Sequence, residues 1–172
     1  MRDEFAVDES GMTSDGYHRL LPACKKSMYV SNAITMAILI ILEALGLTFL
    51  KDFLGDWYDT TLYITIALLV IVAIYMLFGP QVFYRRYRYR IDDEKAEIRR
   101  GVITITHTLV PIERIHQVQV AKGPINRMFG LANVNITTAG GVAVLEYLDI
   151  ETAESIASKL NECVVGILKD RD

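Results

Sequence analysis

Two long apolar stretches, residues 30–50 and 61–78, constrain this chain more than any other feature. A bilayer core of roughly 30 Å is crossed by about 20 helical residues. Both stretches have about that length, and the second carries no charge. The first starts too late for a signal peptide, and no small-residue cleavage site follows it. The connecting segment holds Asp52, Asp56 and Asp59 against Lys51 alone, and its Trp57 and Tyr58 suit the interfacial belt. Arg19, Lys25 and Lys26 precede the first stretch, whereas Arg85, Arg86, Arg88 and Arg90 follow the second. Positive flanks and an acidic loop predict a multi-pass cell-membrane protein: a two-helix hairpin with both termini cytoplasmic. The expected division is an N-terminal cytoplasmic segment over 1–27, a transmembrane hairpin over 28–82 and a cytoplasmic domain over 83–172.

Charge excludes one large class of partner. A net charge of -3 and a pI near 5.6 give no basic face for nucleic acid. The basic run at 84–90 sits beside the second span, where it serves orientation and a weak, nonspecific attraction to anionic head groups. Glu43 is out of place in the first span, about 4.5 Å from its centre at 1.5 Å per residue. An acid there costs on the order of a few kcal/mol unless it meets a partner, is protonated or reaches water. It is read either as a polar contact or proton-sensing group, or as a neutral or water-reaching acid in a short, tilted helix. Residues 1–16 look too polar to order alone.

After residue 83 the period changes. Tyr87-Arg88-Tyr89-Arg90-Ile91 alternates as a half-buried strand does, and Asp92-Asp93-Glu94-Lys95 reads as a turn. One strand is expected over 98–108, kinked at Gly101 with Ile103 and Ile105 on one face, and Pro111 ends it or marks an edge. In 112–121, Ile115 is out of phase with Val118 and Val120, which predicts a bulge after Ile115. Ala132, Val134 and Ile136 point inward from the strand at 131–138, and Gly140-Gly141 turns the chain into 142–148. Pro124 near its start and Gly130 near its end predict one helical turn between the two halves. A C-terminal helix follows, capped by Asp149, with Ala153, Ile156, Leu160, Val164 and Ile167 on one stripe and basic Lys169 and Arg171 at its end. Six or seven antiparallel strands capped by a helix predict an α+β domain built on a β-barrel. The tail from about Tyr84 onward is expected to fold alone, without metal or cofactor.

The segment Ile112-Glu113-Arg114-Ile115-His116-Gln117-Val118-Gln119-Val120, the run Gly123-Pro124-Ile125-Asn126-Arg127-Met128-Phe129-Gly130-Leu131-Ala132-Asn133-Val134, and Thr138-Ala139-Gly140-Gly141 resemble the bacterial pleckstrin-homology (PH) domain proteins. The resemblance spans essentially 28–170 and implies two spans followed by a PH-like domain with a C-terminal helix. It implies no defined biochemical role; some members are linked to envelope stress. Most motif positions are turn glycines or core residues. Arg114 and Arg127 are the exceptions, and they serve either as internal clamps on carboxylates and carbonyls, the favoured reading, or as a partner surface.

Chemistry is scarce. His18, His107 and His116 have no metal-ligand spacing, and Cys24 and Cys163 form neither a CxxC nor a pair close in sequence. Cys24, beside Lys25 and Lys26, is an acylation candidate or else a free thiol; Cys163 reads as a small core residue. Asn135-Ile136-Thr137 fits the glycosylation acceptor, but a cytoplasmic domain leaves it bare. No nucleophile elbow, phosphate loop or zinc-protease motif is present, so no enzyme activity is expected. Eukaryotic PH domains hold phosphoinositides with basic residues near their first hairpin turn. Here that turn is Asp92-Asp93-Glu94, which repels phosphate. The expected function is protein binding or scaffolding at the cytoplasmic face. Anionic-lipid recognition through the neck arginines, or an accessory role in a membrane complex or homo-oligomer, is the alternative.

Overall fold

The structure, a computed structural model, describes residues 16–169; the polar segment before Gly16, Arg171, and the side chains of Ile167 and Lys169 lie outside the described residues. The chain forms two compact units, one of Met28–Gln81 and one of Met1–Ser27 with Val82–Asp172.

Helix α1 (Ala23–Leu54) meets a short 3-10 turn at Gly55–Trp57 and helix α2 (Tyr58–Arg86) follows, and residues 28–81 of this run are the first unit. Gly55 has φ 49°, a left-handed conformation that favours glycine, and it opens the turn. Beyond the turn the chain doubles back, because Asn32 Nδ2 donates to the Met76 carbonyl at 2.8 Å and Tyr29 Oη to the Leu77 carbonyl at 3.1 Å. Partly covered positions recur at three- and four-residue spacing: Asn32, Met36, Leu39, Glu43 and Gly46 on α1, and Leu62, Thr65, Leu69, Val72 and Met76 on α2. At that spacing the partly covered positions form one stripe on each helix. The outer faces expose Ile38, Ile41, Leu45, Phe49, Leu68, Ile71 and other large apolar side chains. The helical run Ala23–Arg86 is long and apolar enough to cross a membrane.

The second unit is two three-stranded antiparallel sheets and a helix. One sheet has the order β1 (Arg88–Ile91), β2 (Lys95–Arg100), β3 (Thr106–Pro111). The other has the order β4 (Ile115–Ala121), β5 (Leu131–Thr138), β6 (Gly141–Asp149), with the single helical turn α3 (Pro124–Met128) between β4 and β5. Helix α4 (Ile150–Lys169) closes the domain, its N-terminus capped where Thr152 N donates to Asp149 Oδ1 at 2.9 Å. Ala153 and Leu160 are fully buried, and Ile156 and Val164 pack against the core. Ala132, Val134 and Ile136 of β5 are fully buried as their alternation requires, and the pairing of β4 with β5 shifts between Ile115 and Gln117. These elements fit a PH-like fold.

Two expectations need correction. The expected strand over 98–108 is the end of β2, a tight turn and the start of β3. Gly101 has φ 145°, and a Cβ there would stand 1.8 Å from the Thr104 carbonyl oxygen, so the chain reverses where only a kink was expected. Ile103, expected on a strand face, is 84% exposed in that turn. The expected barrel is also not closed among the described residues. A 3-10 turn at Ile112–Arg114 separates β3 from β4, and no backbone ladder joins β1 to β6. Side chains bridge that corner instead: Glu146 N donates to Tyr87 Oη at 2.9 Å, and Arg100 pairs with Glu146 at 3.1 Å.

The segment before α1 belongs to this domain. His18 N donates to the Tyr89 carbonyl at 2.7 Å and Tyr89 N to the His18 carbonyl at 3.1 Å, so the segment extends the β1 edge. Tyr17, Leu20 and Cys24 are buried in the domain core. Cys24 is fully buried, and burial pushes its thiol up to about 11, which removes the acylation candidate.

Candidate functional site

The neck arginines have four different environments. Arg85 and Arg86 end α2, where basic side chains also suit the helix dipole. Arg85 is exposed; Arg86 Nη1 donates to the Val102 carbonyl at 2.6 Å. Arg88 is only 3% exposed despite its place in an alternating strand, and its Nη1 donates to the Tyr87 carbonyl at 2.6 Å. Arg90 pairs with Asp92 at 2.9 Å. Arg85, Arg86 and Arg88 line one concavity of ≈ 460 Å³ together with Val82, Tyr84 and Ile105. The fourth arginine of that pocket is Arg19, whose charge the sequence reading used only for orientation. Arg19 Nε donates to Tyr84 Oη at 2.8 Å, Nη2 donates to the same hydroxyl, and the guanidinium carbon lies 4.5 Å from the ring centroid.

A second cluster fixes the N-terminal segment to the first sheet. Glu97, 4% exposed on β2, accepts from the Tyr17 hydroxyl, pairs with Lys95 at 2.5 Å and faces His107 Nε2 at 3.2 Å. Burial works to raise the Glu97 carboxyl, but the hydrogen bonds from Lys95, Tyr17 and His107 win, and it lies at about 2. Burial and the Glu97 bond push Tyr17 upward. Arg99 lies over the Tyr17 ring at 4.4 Å and Arg100 is held by Glu146, so neither lines the arginine pocket.

A third feature is a chain of neutral polar groups. Ser27 Oγ donates to Asn126 Oδ1 at 2.6 Å, Asn126 Nδ2 to Asn133 Oδ1 at 3.3 Å, and Tyr147 N to that same oxygen at 3.0 Å. The last bond holds Tyr147 at φ 56°, where β5 and β6 shift register around Asn133. A bulge of this kind places one unfavourable non-glycine conformation, and the asparagine supplies the compensating acceptor.

Among the described residues the motif arginines clamp no carboxylate or carbonyl. Arg114 and Arg127 are both exposed, and neither makes a side-chain bond or ion pair among the described residues. Arg114 lines a groove of ≈ 480 Å³ with Leu109, Glu113, His116 and the 138–140 turn. Glu43 lies on the partly covered stripe of α1 with Oε1 shielded and no hydrogen-bond partner among the described residues. Thr65, on the corresponding stripe of α2, donates to carbonyls of its own helix. Among the described residues no group of three or more His, Cys, Asp or Glu is arranged to hold a metal.

An apolar helical run long enough for a bilayer, joined in one chain to a two-sheet domain closed by a helix, defines a membrane-associated protein with a PH-like module. A family model described as "Bacterial PH domain" matches residues 28–163, and the chain belongs to that family. It is 28% identical over 91 residues to the UPF0699 transmembrane protein YdbS of Bacillus subtilis (strain 168), covering 53% of this chain and 56% of that protein. It is 33% identical over 90 residues to the UPF0699 transmembrane protein YdbT of the same organism, covering 50% of this chain and 18% of that protein.

Proposed function

We propose that this chain is a two-span membrane protein whose PH-like domain docks a partner protein at the cytoplasmic face. The topology rests on the composition of the domain. Residues on both sides of the apolar region share one unit and one backbone bridge, His18 with Tyr89. Two flanks that pack together lie on the same side of a bilayer, so the intervening chain crosses an even number of times. The asymmetry of positive charge then puts that side in the cytoplasm. After replacement of Cys24 and Cys163 by serine, a cysteine at Gly55 should label with an impermeant thiol reagent in intact cells. One at Asp149 should resist it; the reverse pattern overturns the orientation.

The docking reading is carried by Arg114, an exposed guanidinium without a carboxylate partner among the described residues, in a groove between the outer strands β3 and β4. Unpaired strand edges recruit extended segments through backbone hydrogen bonds, and a side-chain pocket then supplies selectivity. The occupant proposed is an extended segment of a partner protein with a carboxylate opposite Arg114. Crosslinking the full chain in native membranes should give a heterologous adduct that Arg114→Glu abolishes and Arg127→Glu retains. Adducts indifferent to Arg114→Glu, or self-adducts alone, would sink this reading.

A further inference from the structure

The arginine pocket is separate from the Arg114 groove and has a different chemistry. We infer that it holds the phosphodiester of an anionic phospholipid head group. Arg19, Arg85, Arg86 and Arg88 converge on one cavity of ≈ 460 Å³ whose lining contains no carboxylate. Arg19, Arg85 and Arg86 pair with no acid among the described residues. Two of them are held by neutral oxygens, Arg19 by the Tyr84 hydroxyl and Arg86 by the Val102 carbonyl. Such contacts fix a guanidinium without cancelling its charge, and the remaining N–H groups suit the bidentate geometry that phosphate accepts.

A helix end favours Arg85 and Arg86 on its own account, so those two alone would not define a site. Arg19 does. It arrives from 65 positions earlier in the chain to the same hydroxyl-bearing ring, and nothing in the helix dipole calls for it. The position along α2 selects the source of the phosphate. Arg85 and Arg86 follow Phe78, the last residue of the apolar stretch, by seven and eight residues on one helix. Basic residues that follow so soon after an apolar stretch in sequence suit the head-group layer rather than bulk water. Val82 and Ile105 add an apolar lining suited to the glycerol end of a lipid. The acidic Asp92–Glu94 turn contributes no residue to the pocket lining.

The full chain, delipidated in a neutral detergent, supplies the test. Its thermal midpoint is followed with added dioctanoyl phosphatidylglycerol, dioctanoyl phosphatidylcholine or inorganic phosphate, because a ligand of the folded state raises the midpoint by mass action. Saturable stabilisation by phosphatidylglycerol is expected, with none from phosphatidylcholine. Arg19→Gln, and separately Arg85→Gln with Arg86→Gln, should each weaken phosphatidylglycerol about tenfold. Arg19→Lys keeps the charge without the fork and should fall between wild type and Arg19→Gln. Arg90→Gln, which removes the Asp92 pair at a position outside the pocket lining, should leave affinity unchanged. Equal weakening by Arg90→Gln would reduce the site to diffuse attraction and overturn the inference, as would an Arg19→Gln protein that binds normally. Inorganic phosphate binding as tightly as the lipid would overturn the lipid assignment. If Arg19→Gln shows no folded baseline, the Arg85 and Arg86 double variant decides alone.

Discussion

Glu97 shows how one buried acid can govern acid sensitivity. Its folded value of about 2 lies below the unconstrained value of 4.5, so the stability it contributes is complete above pH 4.5 and is lost as pH falls toward 2. Lys95 and His107 are partly exposed, which discounts the contribution to on the order of 2 kcal/mol. The thermal midpoint of the wild-type chain should therefore drop between about pH 4.5 and 2. Glu97→Gln should start lower at neutral pH and lose less across that window; an unchanged slope would show that other carboxylates carry the acid response. In sequence, Glu97 fell between the expected turn at 92–95 and the expected strand from 98, and nothing linked it to Tyr17 or His107. Arg88 was misleading for a related reason: alternation assigns faces to a strand, but a segment from elsewhere decides which face stays wet.

Strands were legible where one face is apolar and the turn chemistry is unambiguous. Leu131–Thr138 has both, with Gly140-Gly141 immediately after it. The turn between β2 and β3 was not legible, because Val102, Ile103, Thr104 and Ile105 keep the strand's composition through the reversal. Only Gly101 marks it, and a lone glycine in a strand pattern equally signals a bulge or kink. Gly101→Ala should destabilise the domain by about 2 kcal/mol or more, since its Cβ would collide with backbone and its φ of 145° is strained for any L side chain. Denaturant unfolding of the full chain measures this, and a change below about 0.5 kcal/mol would show that the turn adopts another geometry without loss. Ile105 lies in the same turn and lines the arginine pocket, so a displaced turn should also weaken phosphatidylglycerol.

The whole molecule differs from the expected linear arrangement of segment, hairpin and domain. Tyr17, Leu20 and Cys24 are spaced like one face of a helix, yet the run is short, holds Pro22 and gave no sign that these residues complete a distant core. A fragment beginning at Tyr84 lacks all three, and burying an apolar side chain the size of Leu20 contributes about 1.5–3 kcal/mol. That fragment should be several kcal/mol less stable than one in which residues 16–27 are restored through a short flexible linker to Val82. Parallel urea titrations would decide, and equal midpoints would refute the contribution of the early segment. The proposed membrane insertion adds an order of events. During synthesis residues 16–27 emerge well before β1, and their partners do not exist until the apolar region has been made. Once two helices pack antiparallel, their outer ends are held near each other, so the remaining pieces meet at a high effective concentration rather than by a search of the whole chain. The anchor then acts as an assembly clamp, and a chain that inserts only one of its two helices leaves its two-sheet domain incomplete.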